Sequence, residues 1–256
     1  MTATIEDVKR YWNNRPCNVR HSQKDIGTKE YFDEVEKKRY TAEPHIPLFA
    51  DFESYRGKKV LEVGCGMATE GINFARQGAK YTATDLSEES LELAKKRFEV
   101  YNKEGKFYAG NSEKLTSFVP VETYDLIYSF GVIHHSPHPE KIISEIKKYM
   151  NKDSTLKIML YASESWKNYM IEAGYDQPEA QYGCPIAHTY TKDEVRELLD
   201  GFDVSIEQNH IFPYQIEPYK RGEFLKQPWF ESMPNEIFEV LKKNLGWHLL
   251  ITAKLL

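Results

Sequence analysis

Between Lys59 and Tyr161 five short β-type runs alternate with helical stretches, and that alternation leaves few folds open. Lys59–Val63 (KVLEV) runs into Gly64 and Gly66, and a helical stretch follows from about Thr69 to Gln77, with Gly78 as its stop. Lys80–Thr84 is the next strand-like run. Ser87 can cap a helix whose apolar residues Leu91, Ala94 and Phe98 recur near the helical period. Lys106–Ala109, Asp125–Phe130 and Ser154–Tyr161 follow as strands, with a helix from about Glu140 to Tyr149 before the last. Asp125–Phe130 is mostly apolar, as a strand buried on both faces should be. Strand–helix alternation with short loops predicts a parallel sheet covered on both sides.

The flanks differ in character. Nine of the 12 prolines and all four tryptophans lie before Gly57 or after Tyr161. Two helices are expected near Ile5–Asn13 and Lys29–Tyr40. Others are expected near Ser165–Ala173, from the Thr191–Glu194 capping box to Leu199, and from Pro234 toward Asn244. Asp203–Gln208 and His248–Lys254 read as strands, and Phe212–Trp229 as an aromatic, proline-rich insertion. The 256 residues suffice to bury a large core. A net charge of −5 weighs against a protein built to grip phosphate backbones. Cys17, Cys65 and Cys184 lie too far apart for a zinc motif, and a disulfide framework is not expected. The first residues lack the apolar run of a signal peptide, and the longest apolar stretch, near Leu126–Ile133, is too short to span a bilayer. The expectation is a cytoplasmic protein with no membrane partner.

Four segments carry chemistry. Glu62–Ala68 (EVGCGMA) closes the first strand, where glycines let a ligand approach the backbone and the next helix offers free N–H groups. The dinucleotide fingerprint G-x-G-x-x-G would need glycine where Thr69 stands, which disfavours a nicotinamide cofactor. Asp85 ends the second strand, where a carboxylate can accept both hydroxyls of a ribose or simply favour the dipole of the next helix. Gly110–Leu115 follows the third strand, and Tyr124–His135 spans the fourth and its loop.

In order and spacing these four segments resemble the class I S-adenosylmethionine (SAM)-dependent methyltransferases of the broad small-molecule type, closely over about 57–161 and loosely elsewhere. The resemblance implies an α/β, Rossmann-like fold with a seven-stranded, mostly parallel sheet. It implies one domain over 1–256: a helical lid at 1–56, a SAM-binding core at 57–161, and substrate-side elements at 162–256, with an insertion forming part of the lid. The cofactor would be S-adenosylmethionine and the product S-adenosylhomocysteine. Glu62, Gly64, Cys65 and Gly66 would line its methionine part, Asp85 would take the ribose hydroxyls, and Leu86 would pack on adenine. Asn111 stands where the family usually has an acid facing the adenine amino group; its carbonyl can still accept that hydrogen bond. The Ser112 N–H would face an adenine nitrogen, and Ser129 and Phe130 would lie beneath the sulfonium. Ala68 stands where many relatives have a third glycine.

The implied reaction moves the sulfonium methyl to an oxygen or nitrogen of a small molecule by in-line displacement. His134 or His135 is a candidate base; the same histidines could instead hold the loop or the cofactor. No metal is expected: His134 and His138 have no carboxylate cluster beside them. Tyr11 and Trp12 are expected to close the site, with Arg20 and His21 touching substrate or the cofactor carboxylate. The Tyr182–Tyr190 stretch, with His188 and Tyr190, and the insertion ending at Trp229 are further candidate walls. Such aromatics would suit a flat, apolar or cationic acceptor. Two other functions compete. An RNA methyltransferase could use Lys9, Arg10, Arg15, Arg20 and Lys24, and a non-catalytic SAM-binding module would share the same motifs.

Overall fold

The computed structural model describes residues 3–175 and 183–256. Helices α1 (Ile5–Asn14), α2 (Lys29–Ala42) and α3 (His45–Ala50) precede the core. The core then alternates β1 (Lys59–Val63), α4 (Thr69–Arg76), β2 (Lys80–Asp85), α5 (Glu88–Val100), β3 (Lys106–Ala109), β4 (Leu126–Phe130), α6 (Pro139–Lys147) and β5 (Thr155–Ala162). After it come α7 (Trp166–Glu172), β6 (Thr189–Tyr190), α8 (Lys192–Leu198) and β7 (Phe202–Asn209). The chain ends with α9 (Ile216–Lys220), α10 (Pro228–Glu231), α11 (Asn235–Leu245) and β8 (His248–Leu255).

The strands lie in the order β3-β2-β1-β4-β5-β8-β7, with β6 beside the end of β5. Only β8 runs antiparallel to its neighbours, β5 and β7. The sheet therefore has the seven expected strands and an eighth, two residues long, too short to leave a periodic signal. Side chains alternate faces along each strand. Val60 packs with Ile72, Phe74 and Tyr128 under α3, α4 and α5, while Leu61 packs with Ile127, Ile142 and Ile146 under α6. Caps define several helix starts. Ser87 Oγ accepts from the Ser90 N–H at the head of α5, and Thr191 and Glu194 form the expected capping box on α8. Helix α3 was not among the expected helices, and it carries Pro44 and Pro47. Both prolines fall at its start, where the first turn needs no amide donor.

The N-terminal helices are held on the core by a buried ion pair. Arg39 of α2 donates from Nε to Glu70 Oε1 at 2.8 Å and from Nη2 to Glu70 Oε2 at 3.3 Å, and its Nη1 lies 3.5 Å from Glu43 Oε2. Burial opposes the charge on Arg39, but the two carboxylates outweigh that and hold its pKa well above the ordinary value. Fully buried Arg97 adds a second tie, donating to Thr69 Oγ1 at 2.5 Å and to the Phe32 carbonyl at 3.3 Å. Breaking a buried pair strands its partner, so Arg39→Ala should lower stability by about 3–5 kcal/mol in urea unfolding, whereas exposed Arg196→Ala should cost under about 1 kcal/mol.

Candidate active site

The order of the strands reverses between β1 and β4, and loops leaving their carboxyl ends open a crevice there. A cavity of about 540 Å³ occupies that crevice. The loop after β1 is fastened to β2: the Gly64 and Cys65 N–H groups donate to the Thr84 carbonyl, and the Gly66 N–H donates to Asp85 Oδ2 at 2.7 Å. Gly64 has φ +78°, and a Cβ there would lie 2.3 Å from Val132 Cγ1, so this approach of the β1 and β4 loops requires glycine. At Gly66 a Cβ would meet nothing within 4 Å, which leaves backbone open to a ligand.

Of the ten residues expected at the cofactor, eight line the cavity: Gly64, Cys65, Gly66, Asp85, Leu86, Asn111, Ser112 and Phe130. Glu62 and Ser129 are buried and do not line it, because their side chains are turned to partners within the core. The Glu62 carboxylate accepts from the Tyr81 hydroxyl, and burial lifts its pKa well above the carboxylate range. Ser129 Oγ donates to the Val63 carbonyl at 2.8 Å. Asp85 also accepts from the Ser87 N–H at 2.8 Å, and burial pushes it up to about 6 against those backbone donors. Its two oxygens offer about four lone-pair directions, so two remain for other donors. Asn111 Oδ1 accepts from the Glu113 N–H at 2.9 Å and keeps one lone pair. Burial pushes the Cys65 thiol well above its ordinary pKa, which disfavours the thiolate a nucleophile would need.

The two candidate bases occupy different places. His135 lines the cavity. Its Nδ1 stands 2.7 Å from the Ile186 carbonyl, which can only accept, so Nδ1 carries the proton and the lone pair sits on Nε2. Nε2 is buried with no hydrogen-bond partner among the described residues, and burial pushes the ring down to about 4. His134 lies off the cavity with its ring 3.8 Å from that of Tyr161, and neither nitrogen has a described partner.

Trp12, Arg20 and His21 line the cavity, and Trp12 meets the His135 ring edge-on at 5.3 Å. Tyr11 stands behind, edge-on to Trp12. His188 and Tyr190 do not line it: His188 is exposed and gives its backbone N–H to His134, while Tyr190 pairs in β6. Trp229 is 45% exposed and also off the cavity; Tyr182 lies outside the described residues. The opposite wall was not foreseen. It comes from Lys38, Arg39 and Glu43 on and just after α2, from His210 and Tyr219, and from His248. Lys38 lies over the Tyr219 ring at 4.7 Å and Arg39 over Phe130 at 5.5 Å. A buried polar face on a helix leaves no periodic signal, though Arg39 and Glu43 at i and i+4 could have suggested a pair.

A profile for the methyltransferase domain matches residues 54–203. The chain belongs to the class I SAM-dependent methyltransferase family. It is 33% identical over 121 residues to the ubiquinone biosynthesis O-methyltransferase of Actinobacillus pleuropneumoniae, a match covering 45% of this chain and 50% of that protein. It is 26% identical over 165 residues to the Salmonella paratyphi A protein of the same name, covering 63% and 67%. The chain spans about half the length of several of the curated relatives it matches. Magnesium protoporphyrin IX methyltransferase from Synechocystis PCC 6803, solved with bound SAH, shares the methyltransferase fold. Its TM-score is 0.63 at 14% identity, over 98% of this chain and 100% of that one. YcgJ from Bacillus subtilis aligns with a TM-score of 0.60 at 16% identity, over 83% and 98%.

The site suits the family's cofactor: open backbone at Gly66 and spare acceptor capacity on Asp85 and Asn111 lie along one side of the cavity. Only the ionised carboxylate accepts two hydroxyl donors. SAM affinity, measured by calorimetry, should therefore be flat above Asp85's pKa of about 6 and fall toward tenfold per pH unit below it. Asp85→Ala should weaken binding about 10²-fold or more, the scale of two charge-assisted hydrogen bonds.

Proposed function

We propose that this methyltransferase transfers the methyl group of S-adenosylmethionine to an oxygen of a small-molecule acceptor. The observation that carries the reading is a single cavity with two unlike ends. Gly66, Asp85 and Asn111 line the end suited to the cofactor, and His210, Tyr219 and His248 line the end suited to an acceptor. The names of the curated relatives favour oxygen over nitrogen. When bound, SAM supplies a methyl group already activated on a sulfonium, so the protein must mainly orient the acceptor and exclude water.

The roles we assign are these. Asp85 accepts the ribose hydroxyls, Asn111 faces the adenine amino group, and Leu86 packs on the ring. Residues 1–56 act as the lid: Trp12 closes on His135, and Arg20 and His21 border the acceptor. His135 is the candidate base, because its Nδ1 proton is committed to Ile186 and its Nε2 lone pair is free to take a proton from the acceptor hydroxyl. His134, walled in against Tyr161, serves packing. Trp12, Phe130, Phe212 and Tyr219 make the lining aromatic, while Lys38, Arg39 and Glu43 add charges, so a flat acceptor carrying hydroxyl groups suits the cavity better than a wholly apolar one.

An RNA substrate is less favoured. Of the cations that could have made a basic patch, Lys9 pairs with Glu88, Arg10 with Asp7 and Lys24 with Glu34, while Arg15 and Arg20 line the cavity. Among the described residues no helix is long and apolar enough to cross a membrane.

Transfer of labelled methyl from SAM to a fraction of a metabolite pool, with RNA and protein unlabelled, is the expected result. Label in RNA alone, or in nothing while SAM binds tightly, would overturn the reading. His135→Ala should lower kcat by roughly 10²–10⁴-fold while changing SAM affinity little; unchanged turnover would leave His135 a structural residue.

A further inference from the structure

Three histidines and a glutamate meet at the acceptor end of the cavity, brought there by three separate parts of the chain. Glu43 caps α2, His45 opens α3, His210 follows β7 and His248 begins β8. Ligand atoms of Glu43, His210 and His248 all lie within 4.8 Å of one another. His248 Nε2 is 3.7 Å from Glu43 Oε1, and the His210 ring stacks on that of His248 with centroids 4.5 Å apart. All three residues line the cavity.

Two further observations separate this cluster from ordinary packing. His248 Nδ1 and His45 Nε2 are 2.9 Å apart, which fixes the His248 ring with Nε2 toward Glu43. This is the outer partner that a metal-bound imidazole usually has on its second nitrogen. His210 is held at φ +73°, a left-handed conformation that costs a side-chain-bearing residue about 1 kcal/mol or more. Its backbone is clamped there, with its N–H donating to Asn209 Oδ1 and its carbonyl accepting from the Trp247 N–H. Yet neither ring nitrogen of His210 has a hydrogen-bond partner among the described residues. A strained, rigid backbone thus presents an uncommitted imidazole to a carboxylate and a second imidazole.

We propose that Glu43, His210 and His248 bind one divalent first-row transition metal ion, with His45 as the positioning residue for His248. Two imidazoles and one carboxylate suit zinc, iron(II) or manganese(II), and three protein ligands leave at least one coordination position for an outside donor. Here that position faces the cavity. Arg39 holds the other oxygen of Glu43 and is neutralised by Glu70 on its far side, so Glu43 Oε1 remains available. If the methyl-transfer reading above holds, the ligand that completes the shell is an oxygen of the acceptor, and the metal sets which hydroxyl is presented.

The test uses the full chain, stripped with a chelator and titrated with Zn²⁺ by calorimetry, then with Co²⁺ by visible absorption. The expected result is one equivalent per chain and a low-symmetry Co²⁺ spectrum. His210→Asn keeps a residue tolerant of the left-handed backbone, and it and Glu43→Gln should abolish stoichiometric binding. His45→Ala should weaken binding about 10–100-fold. SAM affinity and the melting temperature, measured on the same samples, show that each variant is folded. Absence of a one-to-one zinc isotherm in the wild type, or full zinc affinity in folded His210→Asn and Glu43→Gln, would overturn the proposal. Metal titration needs neither SAM nor an acceptor, so its failure is distinct from failure of the methyltransferase reading.

Discussion

A guanidinium buried beside two carboxylates organises this molecule. Removing Arg39 from water is costly unless its donors are met, and Glu70 meets two of them from the first turn of α4. That pairing sets α2 over the loop that leaves β1, where Tyr31, Phe32 and Val35 close on Met67. It also brings Glu43, one turn beyond Arg39, against His248 on β8. A helix far from the sheet in sequence thereby becomes a wall of the cavity. The interaction belongs to the site as much as to stability, because the same charges that hold the cover in place face the ligand space.

Beneath that cover, the reversal of strand order between β1 and β4 supplies the opening itself. Gly64 allows the two loops to touch at Val132, and Asp85 ties the β1 loop to β2 through the Gly66 N–H. The loop amides thus shape the crevice more than they fill it. On the far side, the Ile186 carbonyl, in a segment 51 positions beyond His135, decides which nitrogen of that histidine carries its proton. His134 and His135 are adjacent in sequence, yet one is packed on Tyr161 and the other lines the cavity.

Legibility in the sequence followed the range of the interactions. Strands β1–β5 and helices α4–α6 were readable because period, caps and glycines are local signals, and so were Asp85 and the glycine loop, which end strands at fixed spacing. Helix α3, six residues long, and β6, two residues long, are too short to leave a periodic signal. The flanking tryptophans end in unlike surroundings. Trp12 lines the cavity, Trp247 is buried and stacked on Tyr161, and Trp229 stands largely in solvent. A large aromatic must lose water somewhere, and the sequence does not say against which surface.

The sequence by itself determined the alternating sheet, the turn that opens its crevice and the acid that ends β2 beside it, because each depends on residues within one strand–loop–helix unit. Only the tertiary structure decided the cavity wall opposite the glycine loop. Lys38, Arg39, Glu43, His210, Tyr219 and His248 come from positions spread over more than 200 residues, and none sits in a motif. Their meeting depends on burying one charge at Arg39 and on pairing β8 antiparallel between β5 and β7. Both are long-range conditions, satisfied only when the whole chain has folded.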